Sequence, residues 1–120
     1  MPNYKIINTD NLYRRVPKNK FYWKNVNGKK VASSYAFKTK PNEDGLSVNI
    51  KALTTLELTV ENPELFGVAE FSASIPLGLG FTCRHDPKTD NDAHALIVGD
   101  TRRIAKKLSK AVIQVFYIEL

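Results

Sequence analysis

Apolar and polar residues alternate along several short stretches of the chain, the pattern of β-strands that bury one face. The pattern predicts six or seven short, mostly antiparallel strands. Eight stretches are candidates for these six or seven strands, namely residues 11–16, 21–23, 31–38, 46–50, 68–75, 81–85, 93–98 and, as a possible last strand, 113–118. Asn27-Gly28 lies between two of them and is a strong hairpin signal, because a type I′ turn needs positive φ at both central positions. Phe21 and Trp23 are expected to share a strand face and to lie in the core.

Two segments have the features of helices. Thr54 and Thr55 precede a short apolar stretch that runs to Val60, and Glu57 follows Thr54 by three residues, as in a capping box. A second helix is predicted to begin at Asp100 or Thr101. Its apolar residues recur at helical spacing and are Ile104, Ala105, Leu108, Ala111 and Val112. Residues 41–45 and 76–80 are rich in proline and glycine and predict breaks. The fold class is therefore α+β, with one or two helices in a single domain over residues 1–120.

Composition excludes two classes of protein. Hydrophobic residues make up 42% and charged residues 25% of the 120 residues, so disorder of the whole chain is not expected. No apolar run approaches the roughly 18 residues of a membrane helix, and the N-terminus lacks the apolar region of a signal peptide. The single cysteine, Cys83, cannot form an intrachain disulfide and is predicted to be an inert, buried thiol. These features favour a cytoplasmic protein.

The net charge of +6 is unevenly distributed. Residues 1–42 carry ten Lys or Arg against one acid, residues 43–100 carry three against ten, and residues 101–120 carry five against one. Basic ends that meet in the fold would attract phosphate or an acidic partner. The N-terminal basic patch comprises Lys18, Lys20, Lys24, Lys29 and Lys30, interleaved with Tyr22 and Trp23, which suggests nucleic acid or an acidic protein as partner. The alternative is that these lysines only solvate edge strands and a helix face.

Three groups of polar residues are candidates for binding a ligand. Arg14 and Arg15 point to opposite faces of a strand, so only one of them is expected to line a given site. Ser33 and Ser34 present one hydroxyl to each side of their predicted strand, without the sequence context of a nucleophile elbow.

His94 is the third candidate, because it interrupts an apolar strand. His85, Asp86, Asp90 and Asp92 are near it in sequence, but no zinc or EF-hand spacing is present. No metal or cofactor is therefore predicted, and the acids are interpreted as solvated turn residues.

Four segments together resemble a group of small uncharacterised bacterial proteins, over roughly residues 12–110. They are Leu12-Tyr13-Arg14-Arg15, Ser33-Ser34-Tyr35-Ala36-Phe37, Leu46-Ser47-Val48 and residues 91–99. This sequence has Asn91-Asp92 before Ala93-His94, where the group is expected to have Asn-Pro. The resemblance brings no activity with it, but it implies that Arg14, Arg15, Ser33, Ser34 and His94 are the positions to examine.

A fainter similarity is to NAD-using toxins of the ADP-ribosyltransferase type, in which an arginine on the first strand is followed by serines on the next. It implies a catalytic glutamate, for which Glu70 and Glu119 are the possibilities. The sequence thus leaves two functions open. The first is a module that binds nucleic acid or an acidic partner, and the alternative is a small nucleotide- or NAD-using enzyme.

Overall fold

Eight β-strands and three short α-helices make up the regular structure of residues 4–119, the part of the chain described by a computed structural model. The strands are β1 (Asn11–Pro17), β2 (Trp23–Val26), β3 (Lys29–Ala32), β4 (Gly45–Ile50), β5 (Phe66–Ser72), β6 (Thr82–His85), β7 (His94–Val98) and β8 (Gln114–Phe116). Six strands form an antiparallel sheet in the order β6-β7-β4-β1-β5-β8, and β2 pairs with β3 as a separate hairpin. The α+β class is confirmed.

The helices are α1 (Leu56–Val60), α2 (Ser74–Gly78) and α3 (Ala105–Lys110). Three 3₁₀ segments accompany them, at Ser34–Phe37, Lys51–Leu53 and Arg102–Ile104. No helix within residues 4–119 has both the length and the apolar character that a membrane span requires.

The main core lies on one face of the six-stranded sheet. Leu12 and Val16 of β1 point toward it, and Phe71 of β5 meets Phe37 edge to face, with ring centroids 5.8 Å apart. Ile104 and Leu108 from the C-terminal helical segment complete this layer. The 3₁₀ segment Ser34–Phe37 packs against α3, so the C-terminal helix covers the chain that leaves the hairpin.

The opposite face of the sheet is only partly covered. Tyr13 and Val68 alternate with core residues along β1 and β5 and form a second, smaller cluster with Val60 of α1. Because α1 has only five residues, it covers this part of the face and leaves the neighbouring surface of β4 and β7 open. That uncovered surface forms a groove.

Most predicted strands are confirmed, and so is the hairpin, where Asn27 has φ 51° and Gly28 has φ 80°. Three strand predictions were too long, and one of them is residues 113–118, where the strand covers only Gln114–Phe116. Residues 31–38 leave the strand after Ala32, and residues 68–75 leave it after Ser72 to enter α2. The aromatic strand begins only at Trp23, so Phe21 is 65% exposed whereas Trp23 is buried in the core.

The N-terminus of α1 differs from the predicted capping box. The N-cap is Thr55, whose side chain accepts a hydrogen bond from the amide of Leu58 at 3.2 Å. The Thr54 hydroxyl lies 3.5 Å from the Thr55 carbonyl and contacts no amide of the helix.

We expect Thr55→Ala to lower the free energy of unfolding by about 1 kcal/mol, the usual cost of removing an N-cap side chain. Thr54→Ala is the matched control and should change it by less than about 0.5 kcal/mol. Urea denaturation of both variants measures the difference. Equal destabilisation by the two substitutions would contradict the assignment of Thr55 as the cap.

Candidate functional site

The two basic ends of the chain meet at the hairpin. The Ser109 hydroxyl of α3 donates a hydrogen bond to the Ala32 carbonyl of β3 at 2.7 Å. A cleft of about 740 Å³ lies between the hairpin and the C-terminal segment, and Lys29, Lys30 and Lys110 line it. We define the basic surface as the lysines of this region, namely Lys18, Lys20, Lys24, Lys29, Lys30 and Lys110. The chain thus combines cations from both of its ends in one region.

Tyr117 orders part of the basic surface. The ammonium groups of Lys18 and Lys30 lie 4.5 and 4.9 Å from the centroid of its ring, within the range of cation–π attraction. The edge-on contact with Trp23, at 4.9 Å between centroids, fixes the ring. Glu119 lies 3.9 Å from Lys30 and is the only acid in an ion pair with the basic surface within residues 4–119. Positive charge therefore dominates here.

An exposed group of aromatic rings lies beside Lys20 of the basic surface. Tyr22 and Tyr35 stack with centroids 5.2 Å apart and an interplanar angle of 27°, and Phe21 lies 6.3 Å from Tyr35. Phe21 is 65% and Tyr35 52% exposed. Lys20 lies 5.7 Å from the Phe21 ring, and Lys38 lies 5.7 Å from the Tyr35 ring. We call Phe21, Tyr22 and Tyr35 the aromatic cluster.

Ser33 holds the aromatic cluster together. It is buried, its hydroxyl donates to the Phe21 carbonyl at 2.6 Å, and its amide donates to the Tyr22 carbonyl at 2.7 Å. These bonds tie the turn before β2 to the segment after β3 and turn the chain out of the strand. Ser34 begins the 3₁₀ segment that carries Tyr35. Both serines were predicted as ligand-binding candidates, and the structure places Ser33 in a buried position where its hydroxyl and amide both bond to backbone carbonyls.

Arg14, Arg15 and His94 line one groove of about 530 Å³ on the open face of the sheet. We call it the sheet-face groove. Strand alternation predicts that the two arginine side chains point to opposite faces, and Arg14 does share its strand face with the core residues Leu12 and Val16. β1 pairs with β4 only at Leu12 and Tyr13, and beyond that point Nη1 of Arg14 donates to the Ser47 carbonyl of β4. Ser33 and Ser34 do not line this groove.

The two arginines have different partners. Arg15 forms an ion pair with Glu61 at 2.5 Å and lies 4.4 Å over the Phe66 ring. Arg14 contacts backbone carbonyls instead, through Nε to Ala36 at 3.0 Å and through Nη1 to Ser47 at 2.9 Å. Arg15 is thus neutralised at the rim, whereas Arg14 bridges two segments of the backbone.

The histidines are held by the loop that joins β6 to β7. Nδ1 of His85 accepts from the Tyr4 amide at 3.3 Å, so its Nε2 carries the proton that is donated to the Asp92 carbonyl at 2.6 Å. Nδ1 of His94 lies 2.9 Å from the carbonyl oxygen and 3.2 Å from Oδ2 of Asp86. The main cause that lowers the pKa of Asp86 is its hydrogen bond with Lys88, with the charge of Lys88 and the proximity of His94 adding to the effect. Within residues 4–119 no group of three His, Cys, Asp or Glu side chains is arranged to hold a metal ion.

The two glutamates considered for catalysis lie outside the sheet-face groove. Glu70 is buried, and its Oε2 accepts from Lys51 at 2.9 Å and from Asn11 at 2.8 Å. Glu119 is exposed beside Lys30. Cys83 is partly buried, and burial raises the pKa of its thiol to about 11, which keeps it protonated at neutral pH.

Three residues that form part of these sites were not among the candidate residues predicted from the sequence. Tyr35 was assigned to the interior of a strand, although it follows two serines that favour turns. Asn49 and Asn91 join β4 to the loop through a 2.8 Å hydrogen bond between their side chains at the groove. Asn91 follows two polar residues in a loop and carried no specific signal.

Comparison of the chain with protein-family models, with curated proteins and with solved structures finds no match. Function is therefore inferred from the geometry of the basic surface, the aromatic cluster and the sheet-face groove.

Proposed function

We propose that the chain binds single-stranded nucleic acid through the basic surface and the aromatic cluster. The observation that carries the proposal is the exposed position of Phe21 and Tyr35 beside Lys20 and Lys38. The hairpin that follows these rings also lines a cleft in which Lys29 and Lys30 lie with Lys110 from the other end of the chain. Lysines attract the phosphate backbone, and exposed aromatic rings stack on bases without regard to sequence. The two kinds of contact together match a single strand.

The aromatic cluster favours a single strand over a duplex and over an acidic protein. In a duplex the faces of the bases are already stacked on each other, so flat rings at a surface gain little from them. An acidic peptide would use the lysines but offers no flat base to Phe21 or Tyr35. A single strand whose phosphates cross the cleft between the hairpin and α3 can contact Lys29, Lys30 and Lys110. Its bases can then stack on the aromatic cluster, next to Lys20.

The cytoplasm is the compartment that this proposal assigns. A single cysteine fits reducing conditions, and single-stranded RNA is abundant there. The similarity to small bacterial proteins belongs to the same proposal and contributes no activity to it.

Binding of a fluorescent 12-nucleotide single strand, measured by anisotropy at several salt concentrations, tests the proposal. If four of the lysines contact phosphates, the slope of log K against log salt is about −3, and affinity falls about fiftyfold between 50 and 200 mM salt. Duplex DNA and a poly-glutamate peptide of equal charge are the comparisons. Absence of binding at 20 mM salt, or equal binding of the peptide, would contradict the proposal.

A further inference from the structure

The chain that follows β8 lies against two lysines of the basic surface. The Lys18 ammonium donates a hydrogen bond to the carbonyl oxygen of Ile118, and the Lys30 ammonium lies 3.9 Å from Oε1 of Glu119. The same two ammonium groups lie 4.5 and 4.9 Å from the centroid of the Tyr117 ring. We call residues 118–119 the tail segment. Two lysines from different parts of the chain thus converge on one ring, and oxygen atoms of the tail segment contact both.

The lysines and the ring are positioned by contacts that do not involve the tail segment. Lys30 belongs to β3, and Lys18 directly follows Pro17 at the end of β1. Nε1 of Trp23 donates to the Pro17 carbonyl at 3.0 Å, which ties the hairpin to the end of β1. The Trp23 ring also packs edge-on against Tyr117. The cationic site around Tyr117 would therefore persist if the tail segment moved away.

The tail segment itself is weakly attached. Within residues 4–119, no backbone–backbone hydrogen bond joins Ile118 or Glu119 to the rest of the fold. The side chain of Glu119 is 75% exposed, whereas that of Lys30 is 25% exposed. An ion pair with one largely solvated partner stabilises little, because water competes for the charges and salt screens them. Displacing the tail segment therefore costs little free energy.

The oxygen atoms of the tail segment lie where phosphate oxygens of a bound strand would be needed. Lys30 and Tyr117 line the cleft beside α3, and Lys18 precedes Lys20, whose ammonium lies 5.7 Å from the Phe21 ring. A strand that leaves the cleft for the aromatic cluster thus meets this pair of lysines on its way. A phosphate carries a full charge, so it is a better acceptor for the two ammonium groups than a neutral carbonyl and an exposed carboxylate.

We propose that Lys18 and Lys30 form a phosphate subsite of the nucleic-acid surface, and that the tail segment occupies this subsite until a bound strand displaces it. The proposal rests on the function proposed above, and the ligand of the subsite is a backbone phosphodiester of the single strand. Glu119 competes with that phosphate for Lys30. Because only the fraction of molecules with an open subsite can bind, this competition lowers the apparent affinity for the strand.

Removing the charge of Glu119 should tighten binding of the 12-nucleotide single strand. In anisotropy titrations at 50 mM salt, Glu119→Gln should bind about twofold to fivefold more tightly than the wild-type protein, the range expected for one exposed ion pair. Asp90→Asn is the matched control, because it makes the same change of charge at an exposed position in the sheet-face groove. Its affinity should differ from wild type by less than about 1.5-fold, since salt screens distant charges.

A double-mutant cycle distinguishes competition for Lys30 from a general effect of charge. In a Lys30→Gln background, Glu119→Gln should no longer tighten binding, because the group for which it competes is gone. Equal tightening with and without Lys30 would overturn the proposal. NMR of the wild-type protein gives a second readout, in which the amide resonances of Ile118 and Glu119 should move toward random-coil positions when the strand saturates the protein.

The outcomes separate this proposal from the one on which it rests. If the wild-type protein and all variants fail to bind the strand at 20 mM salt, both proposals are wrong. If the wild-type protein binds the strand but Glu119→Gln binds it no more tightly, only the phosphate subsite is wrong. The same conclusion follows if the resonances of the tail segment stay unchanged at saturation.

Discussion

Gly45→Ala should lower the free energy of unfolding by about 3 kcal/mol, in the upper part of the range for overpacked sites. A Cβ atom on Gly45 would lie 2.3 Å from the carbonyl oxygen of Ile97 and 3.0 Å from the Cα of Val98. Both atoms belong to the backbone of β7, which cannot rotate aside as a side chain can. The first residue pair of the β4–β7 ladder, Gly45 with Val98, would have to separate.

Gly78→Ala is the matched control for this substitution. A Cβ on Gly78 meets nothing within 4 Å, and its φ is not in the left-handed region. Because alanine also restricts the unfolded chain, this variant should be neutral or stabilised by up to about 1 kcal/mol. Urea denaturation with unchanged m-values measures both. A loss of less than about 1 kcal/mol for Gly45→Ala would mean that β4 and β7 separate without penalty.

Gly45 shows why the interior of a strand was easier to predict than the residue at which the strand begins. The sequence placed it in a loop with Pro41 and Asp44, yet it is the first residue of β4. The alternation of Leu46, Val48 and Ile50 was visible because each buries its side chain on one face. The requirement at Gly45 comes from a carbonyl on β7, more than fifty residues away in sequence, and no local pattern encodes that contact.

The same limit explains the strand that was predicted too long. Alternation continues from Val31 through Phe37, so a single strand was the natural interpretation. The hydrogen bonds of Ser33 to Phe21 and Tyr22 turn the chain instead. As a result Tyr35 lies at the surface and stacks on Tyr22. The aromatic cluster is therefore a product of a contact across the hairpin, which sequence periodicity does not report.

The sign of the charge on each segment could be predicted from the sequence, but the arrangement of the charged segments in space could not. The basic ends and the acidic middle follow directly from counting residues, while their meeting depends on the contact between Ser109 and Ala32, separated by 77 positions. The groove has a similar origin, because its lining residues come from β1, β4, α1 and the loop before β7, which are far apart in sequence. The residues suspected in the sequence thus divide between two surfaces. His94 and the arginines line the groove, whereas the lysines lie at Phe21, at Tyr117 and in the cleft beside α3.

Replacing both Phe21 and Tyr35 by alanine should weaken binding of a single strand strongly while leaving its salt dependence unchanged. Stacking on an aromatic ring contributes about 1–3 kcal/mol per base, so loss of even one stacked base reduces affinity by about 5-fold to 150-fold. Both rings are more than half exposed, and neither is part of the main core. The variant should therefore keep its fold, which thermal unfolding would verify.

Lys29→Gln with Lys30→Gln is the complementary variant, because it removes charge and leaves the rings. It should reduce the magnitude of the salt slope by about 1.4, two phosphate contacts on a single strand. Leu58→Ala removes a side chain of similar exposure, 69%, on the opposite face of the sheet, and should leave binding unchanged. Anisotropy titrations of all three variants at four salt concentrations separate the effects. If the aromatic variant changed the salt slope and the lysine variant did not, the proposed division between stacking and phosphate contacts would be wrong. If Leu58→Ala alone weakened binding, the strand would have to bind in the sheet-face groove.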